Sequence, residues 1–209
     1  MPKLTAQQAL QRLKDGNRNF VTATLGDGSA LKSRPFELAD SQDPFAIILG
    51  CSDSRVPAEI VFDQGLGDLF VIRVAGNVVA PSQVGSVEFA AQRFGSRLVV
   101  VLGHTKCGAV EATLQELDRP SDRRSSNLRS IVDRIRPSVE ALVYTELRHD
   151  PEKLMHHAVR ANIRTSVDHL RHGSQILEQL IDAEELMVVG AEYSLETGAV
   201  EFFEAGVTV

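Results

Sequence analysis

The stretch Leu49-Gly50-Cys51-Ser52-Asp53-Ser54-Arg55 decides how this chain is read. The apolar run before it, Phe45–Leu49, has the near-continuous hydrophobicity of a strand covered on both faces. It leads into a soft metal ligand, Cys51, with Asp53 and Arg55 at alternate positions beyond. Side chains alternate across a strand, so a backbone that stays extended would point Cys51, Asp53 and Arg55 to one side. A thiolate, a carboxylate and a guanidinium would then share one small space at a strand's C-terminal end, where open α/β sheets place their chemistry. A second cluster, Gly103-His104-Thr105-Lys106-Cys107-Gly108, follows the apolar run Leu98–Leu102 in the same way.

The rest of the chain reads as the scaffold that brings these two strand ends together. Leu69–Val74 and Leu186–Val189 are two more strand-like runs. Helical segments alternate with the strands: Pro57 to Phe62, Ser82 to Phe94 and Cys107 to Leu117. Leu128 to Arg171 is mostly helical, with an interruption expected near Pro137 and a restart at Asp150-Pro151, an N-cap followed by proline at the first helical position. Ser174 to Ile181 adds another helix, and a turn at Glu196-Thr197-Gly198 precedes a hairpin strand, Ala199–Phe203. The predicted fold class is α/β: a mainly parallel β-sheet flanked by helices on both faces, with a C-terminal antiparallel edge strand and an N-terminal helical arm. Thr5 to Phe20 carries a sparse stripe, Leu4, Leu10, Leu13 and Phe20, which suggests a helix laid across a partner subunit. Val21 to Asp43 is rich in Gly, Ser, Asp and Pro and reads as an arm. The 209 residues suit a single domain, 1–209, with 1–43 as helix and arm making dimer contacts.

Composition narrows the function classes. A formal net charge of -6 argues against nucleic acid as a partner, since phosphate binding wants basic patches. The basic cluster Arg119 to Arg129 lies among Ser, Pro and Asp and reads as a solvated loop. No run approaches the roughly 18 apolar residues of a membrane span, and Met1-Pro2-Lys3-Leu4 lacks the apolar core of a secretory signal. A cytoplasmic protein with no membrane partner is expected. Cys51 and Cys107 are the only two cysteines, which in a reducing compartment points to metal binding or catalysis.

Cys51, His104 and Cys107 supply three Cys/His ligands of the kind zinc takes at catalytic sites, with a fourth position left open. Neighbouring strands lie about 4.8 Å apart, so ligands from two strand ends and the following turn encircle one ion. Two thiolates and a neutral imidazole cancel the charge of Zn²⁺ and weaken it as a Lewis acid, so nearby groups must favour hydroxide. Arg55 holding Asp53 in a bidentate pair would keep that carboxylate ionised and off the metal, ready to accept a hydrogen bond from zinc-bound hydroxide. A closed site with Asp53 as fourth ligand remains open on these grounds. His149, His156, His157, His169 and His172 fall on the helical segment and read as solvent-facing or packing residues.

Cys51-Ser52-Asp53-Ser54-Arg55 together with His104-x-x-Cys107-Gly108 resembles the β-class carbonic anhydrases, and the similarity runs through Phe70-Val71-Ile72-Arg73-Val74-Ala75-Gly76-Asn77 to Tyr193. The resemblance implies one Zn²⁺ per subunit on Cys51, His104 and Cys107, with Asp53 and Arg55 as the catalytic dyad that gates and orients the fourth ligand. It implies reversible hydration of CO2 to bicarbonate and a proton, and a homodimer or homotetramer. It places Gln42, in Gln42-x-Pro44, where a glutamine crosses the dimer to reach substrate oxygen, and Phe70 where members have an apolar wall. Phe89 stands where a tyrosine is frequent, without its hydroxyl, and backbone N–H groups near Gly108 add polarisation. Arg73 and Tyr193 match a non-catalytic bicarbonate pocket of some members, but Ile48 replaces its tryptophan. Ala109 replaces the second glycine of a common Cys-Gly-Gly run. Two alternatives stand beside the leading reading: hydrolysis of a CO2 analogue, carbonyl sulfide or carbon disulfide, on the same site, and a non-catalytic structural zinc protein.

Overall fold

The computed structural model describes residues 3–24, 42–118 and 125–203. Five strands form one sheet: β1 (Ala46–Gly50), β2 (Leu69–Arg73), β3 (Leu98–His104), β4 (Met187–Tyr193) and β5 (Val200–Phe203). Their order is β2-β1-β3-β4-β5, with every pair parallel except β4 and β5. The predicted fold class holds, including the antiparallel edge.

Burial on both faces explains the unbroken apolar runs. All five residues of β1 and all seven of β3 are buried. One face, with Ile47, Leu49, Val99, Val101 and Val188, packs against residues of α3 (Pro81–Phe94), α4 (Gly108–Asp118), α5 (Ser126–Val139), α6 (Pro151–His172) and α7 (Gln175–Asp182). The other face, with Ala46, Ile48, Val100 and Val189, is covered by α1 (Ala6–Thr24) and α2 (Ala58–Val61). Chain connections leave β1 toward β2 on one side and reach β3 on the other. The C-terminal ends of β1 and β3 therefore flank the topological switch point, where a doubly wound sheet opens a crevice.

Three expectations change. The sparse stripe of α1 does not lack a place within the chain: Ala6, Ala9, Leu13 and Asn17, spaced at helical period, are buried, and Ala9 and Leu13 join the core under β1 and β3. Asn17 spends its amide on the carbonyls of Val61 and Gly198 and accepts the Val200 N–H, tying α1 to both edges of the fold. The helical break falls after Val139, as 3₁₀ turns at Glu140–Tyr144 and Glu146–His149, because Pro137 sits in the last turn of α5 and removes only one ladder bond there. Strand β3 extends to His104, since β4 also runs on to Tyr193 and pairs with it. Asp150 caps α6 ahead of Pro151, as expected. Most of the arm expected at Val21 to Asp43, and residues 119–124 of the basic cluster, lie outside the described residues.

Candidate metal centre

Cys51 follows β1 directly, His104 is the last residue of β3, and Cys107 immediately precedes α4. Because Gly50 pairs with Leu102, the two strand ends stand side by side. The ligand atoms of Cys51, His104 and Cys107 lie within 4.8 Å of one another, and all three residues are buried. The His104 Nδ1 is 2.9 Å from the Thr105 carbonyl, an acceptor, which assigns the proton to Nδ1 and leaves a lone pair on Nε2. That Nε2 is buried and has no hydrogen-bond partner. An orphaned buried acceptor facing two sulfurs fits a soft divalent cation, and zinc suits the donor set.

The protonation of the cluster points the same way. The neighbouring Cys107 thiol pushes Cys51 down and, with His104 and the N–H groups of Asp53 and Gly76, overcomes the opposing effect of burial. The same contact with Cys51, then burial, pushes Cys107 well up, opposed by the N–H groups of Val110 and Ala109 at the start of α4. Burial disfavours a charged His104, but the Cys51 sulfur, the Thr105 carbonyl and the Asp53 carboxylate together raise its pKa. Two sulfurs thus compete for one proton, a conflict that a dication between them removes.

Asp53 and Arg55 meet, though not by strand alternation. The chain leaves the sheet at Gly50 and turns at Ser54-Arg55, where the Asp53 carbonyl accepts the Val56 N–H at 3.1 Å. Arg55 then folds back. Its Nε donates to Asp53 Oδ1 at 2.9 Å, its Nη2 to Oδ2 at 2.7 Å, and its backbone N–H to Oδ1 at 3.0 Å. This fork holds the Asp53 carboxyl well below the usual carboxylate range. Asp53 is 18% exposed at its side chain and lies 3.8 Å from His104 Nε2, so it borders the cluster and opens to solvent. Arg73 fixes the loop from below, donating to the carbonyls of Cys51 at 3.0 Å and Asp53 at 2.5 Å. The resemblance matches Arg73 to a bicarbonate pocket whose tryptophan is Ile48 here; the hydrogen bonds of Arg73 go to the Cys51 loop. At the rim, Lys106 pairs with Glu196, and that pair, with the Thr105 hydroxyl, pushes the Glu196 carboxyl down to about 2.

Of the other expected site residues, Gly108 stays at the cluster, and Gln42, Phe70 and Phe89 sit elsewhere. Gly108 opens α4 beside Cys107. Gln42 is exposed and lies two residues before Pro44, whose carbonyl accepts the Ser96 hydroxyl just ahead of β3, so it is at the N-terminal edge of the sheet. Phe70 pairs with Ile47 three residues before the strand end marked by Gly50 and Arg73, about 10 Å upstream at strand rise. Its ring stacks in a cluster with Phe94 at 5.9 Å and with Phe89 at 6.2 Å, and Phe89 is 54% exposed. Within one chain Gln42, Phe70 and Phe89 do not join the cluster.

Comparison with known proteins agrees with the geometry. Residues 46–200 match the family model described as carbonic anhydrase. The chain is 39% identical over 201 residues to a carbonic anhydrase of Mycolicibacterium smegmatis, covering 96% of this chain and 95% of that one. It is 36% identical to carbonic anhydrase 2 of Mycobacterium tuberculosis, covering 95% and 93%. Among solved structures it resembles the β-carbonic anhydrase CafA of Aspergillus fumigatus, with a TM-score of 0.72 and 26% identity over 82% of this chain and 80% of that one. An α/β sheet with a Cys/His/Cys cluster able to hold a metal at its switch point fits the β class of these enzymes. The chain belongs to the carbonic anhydrase family, in its β class, whose general reaction is hydration of CO2.

Proposed function

We propose that this carbonic anhydrase interconverts carbon dioxide and water with bicarbonate and a proton, on a zinc ion held by Cys51, His104 and Cys107. The observation that carries the reading is the buried, unpartnered His104 Nε2 among two sulfurs, with an Arg55-held carboxylate 3.8 Å away. When bound, zinc supplies a Lewis acid that makes water nucleophilic near neutral pH. The chain's own residues do the rest. Asp53, kept ionised by Arg55, accepts a hydrogen bond and fixes the direction of the attacking lone pair. The fork also restrains Asp53 from the metal, so the pair acts as a gate. Gly108 begins α4, and its N–H, without an intrahelical acceptor, is a donor for substrate oxygen.

Gln42, Phe70 and Phe89 belong to this function only if a second copy brings them. Gln42 lies beyond the whole five-residue length of β1 from its own cluster, about 16 Å at strand rise. A two-fold dimer presents each N-terminal edge to the partner's cluster, with Gln42 on substrate oxygen and the aromatic residues as wall. Two free cysteines at the centre suit the reducing cytoplasm, where we place the enzyme. Among the described residues no helix is long and apolar enough to cross a membrane.

Stopped-flow hydration of CO2 by the zinc-loaded protein tests the proposal, beside turnover of carbonyl sulfide and carbon disulfide. Fast hydration, lost on metal removal and restored by zinc, is expected. Turnover of the sulfur analogues in preference to CO2 would replace the substrate, and zinc uptake with no turnover would reduce the site to structure.

A further inference from the structure

We propose that Asn162 and Ser166 are positioning residues for the metal ligand Cys51, acting through the turn Ala75–Asn77; the inference rests on the reading of Cys51 as a ligand. The turn follows β2 and holds two successive left-handed residues, Gly76 at φ +69° and Asn77 at φ +45°. Glycine adopts that region freely, and a Cβ at Gly76 would lie 2.8 Å from Ile135 Cδ1 and 3.0 Å from Ala109 Cβ. Asn77 is among the residue types that tolerate it, at some cost. A turn of this kind persists only where its surroundings hold it.

Helix α6 does the holding. Asn162 donates from Nδ2 to the Gly76 carbonyl at 2.8 Å, and the Ser166 hydroxyl donates to the Asn77 carbonyl at 3.0 Å. The two lie four apart on a helix face that is otherwise buried and apolar, with Val159, Ile163, Val167 and Leu170. Two polar side chains in such a face cost stability unless each finds a partner, and both spend their bond on this one turn. The turn so fixed presents its preceding peptide to the cluster: the Gly76 N–H, one Cα from the carbonyl that Asn162 holds, donates to Cys51 Sγ at 3.3 Å.

A hydrogen bond to a thiolate draws charge from the sulfur, which then donates less to a metal. The consequence is a stronger Lewis acid than two free thiolates and an imidazole would leave, and a sulfur pre-aimed before the ion arrives. Asn162 and Ser166 therefore set the electronic character of the centre from the opposite side of the turn, without touching the ion.

The test uses full-length protein loaded with cobalt(II), whose thiolate-to-metal charge-transfer band reports the sulfur directly. Asn162→Leu is expected to move that band to longer wavelength, as the freed sulfur donates more, and to lower metal affinity by about 10-fold to 100-fold in chelator competition, because the sulfur is no longer pre-aimed. Ser166→Ala is expected to shift both in the same direction by less, and carries the test if Asn162→Leu does not fold. Asn162→Gln, which keeps the amide donor, is expected to fall between Asn162→Leu and the unaltered protein. Asn17→Ala removes a buried amide on the far face of the sheet and controls for lost stability; its band is expected to stay in place. A band and affinity unchanged in Asn162→Leu and Ser166→Ala, or shifted equally by Asn17→Ala, would overturn the proposal. Unaltered protein that takes up cobalt without any thiolate band would overturn the ligand assignment itself.

Discussion

The two ends of the sheet are built differently. At the C-terminal ends of β1 and β3, a cluster of three candidate ligands, a bidentate carboxylate–guanidinium pair and an arginine strap under the loop are all supplied by one chain. At the N-terminal edge, Gln42 and the aromatic group Phe70, Phe89 and Phe94 are partly exposed and meet no cluster of their own. Metal chemistry needs sub-ångström placement, which packed strand ends give. A substrate wall tolerates looser placement and can come from a neighbour across an interface. One end should thus fail locally and completely when altered, and the other should fail gradually and through assembly.

The largest effect is expected at the ligands. Cys51→Ser or His104→Ala leaves an incomplete site, so zinc by elemental analysis and hydration activity should vanish together. Full zinc in either variant would remove the ligand assignment. Next comes the Asp53–Arg55 pair, proposed above as the gate. Arg55→Ala should keep its zinc and lose about 100-fold or more in hydration rate, the scale of a misplaced catalytic group. Arg55→Lys should recover only part of it, because a point charge cannot make the fork. Near-normal hydration in Arg55→Ala would leave the pair as packing of the loop.

At the opposite edge, Gln42→Ala should lower hydration by about tenfold, the worth of one substrate hydrogen bond, with zinc content intact. Smallest is an effect on stability away from both ends. Burial raises the pKa of Glu192, opposed by His156 and Arg160. A carboxyl with a raised folded pKa takes up its proton more readily in the folded chain than in the unfolded one. Stability is therefore lost as pH rises through the folded value. Glu192→Gln should be more stable than the unaltered protein at pH 7 by about 1 kcal/mol or less, since Arg160 keeps Glu201 as partner. The gap should close as pH falls toward the carboxyl range; thermal denaturation across pH 4 to 8 measures it.

What could be read in the sequence follows from how local the cause is. Buried strands announce themselves as apolar runs, and Cys51, His104 and Cys107 stand at or just beyond the ends of two of them, so the sheet and the meeting of these three residues can be read from the sequence. The meeting of Asp53 with Arg55 was legible as a pair of residues but not as a turn, because two residues on can be bridged by either geometry. The seat of α1 was missed because its buried face uses Ala6, Ala9 and Asn17, small and polar residues that a count of large apolar side chains passes over. The hold of Asn162 on Gly76 joins residues 86 apart through one carbonyl, and nothing local marks it. The motif Ala75-Gly76-Asn77 did carry a usable hint, a glycine and an asparagine in succession where a left-handed turn is needed.

Mixing two defective subunits tests most directly the claim that chemistry resides in one chain and the substrate wall in its partner. Gln42→Ala and Asp53→Ala proteins, each impaired alone, are combined in equal amounts, allowed to exchange subunits, and assayed for CO2 hydration. In a two-fold dimer that exchanges freely, half the dimers are mixed and each mixed dimer regains one intact site, so activity should rise toward about a quarter of the unaltered enzyme's. Activity that stays at the average of the two parents after demonstrated exchange would contradict the account.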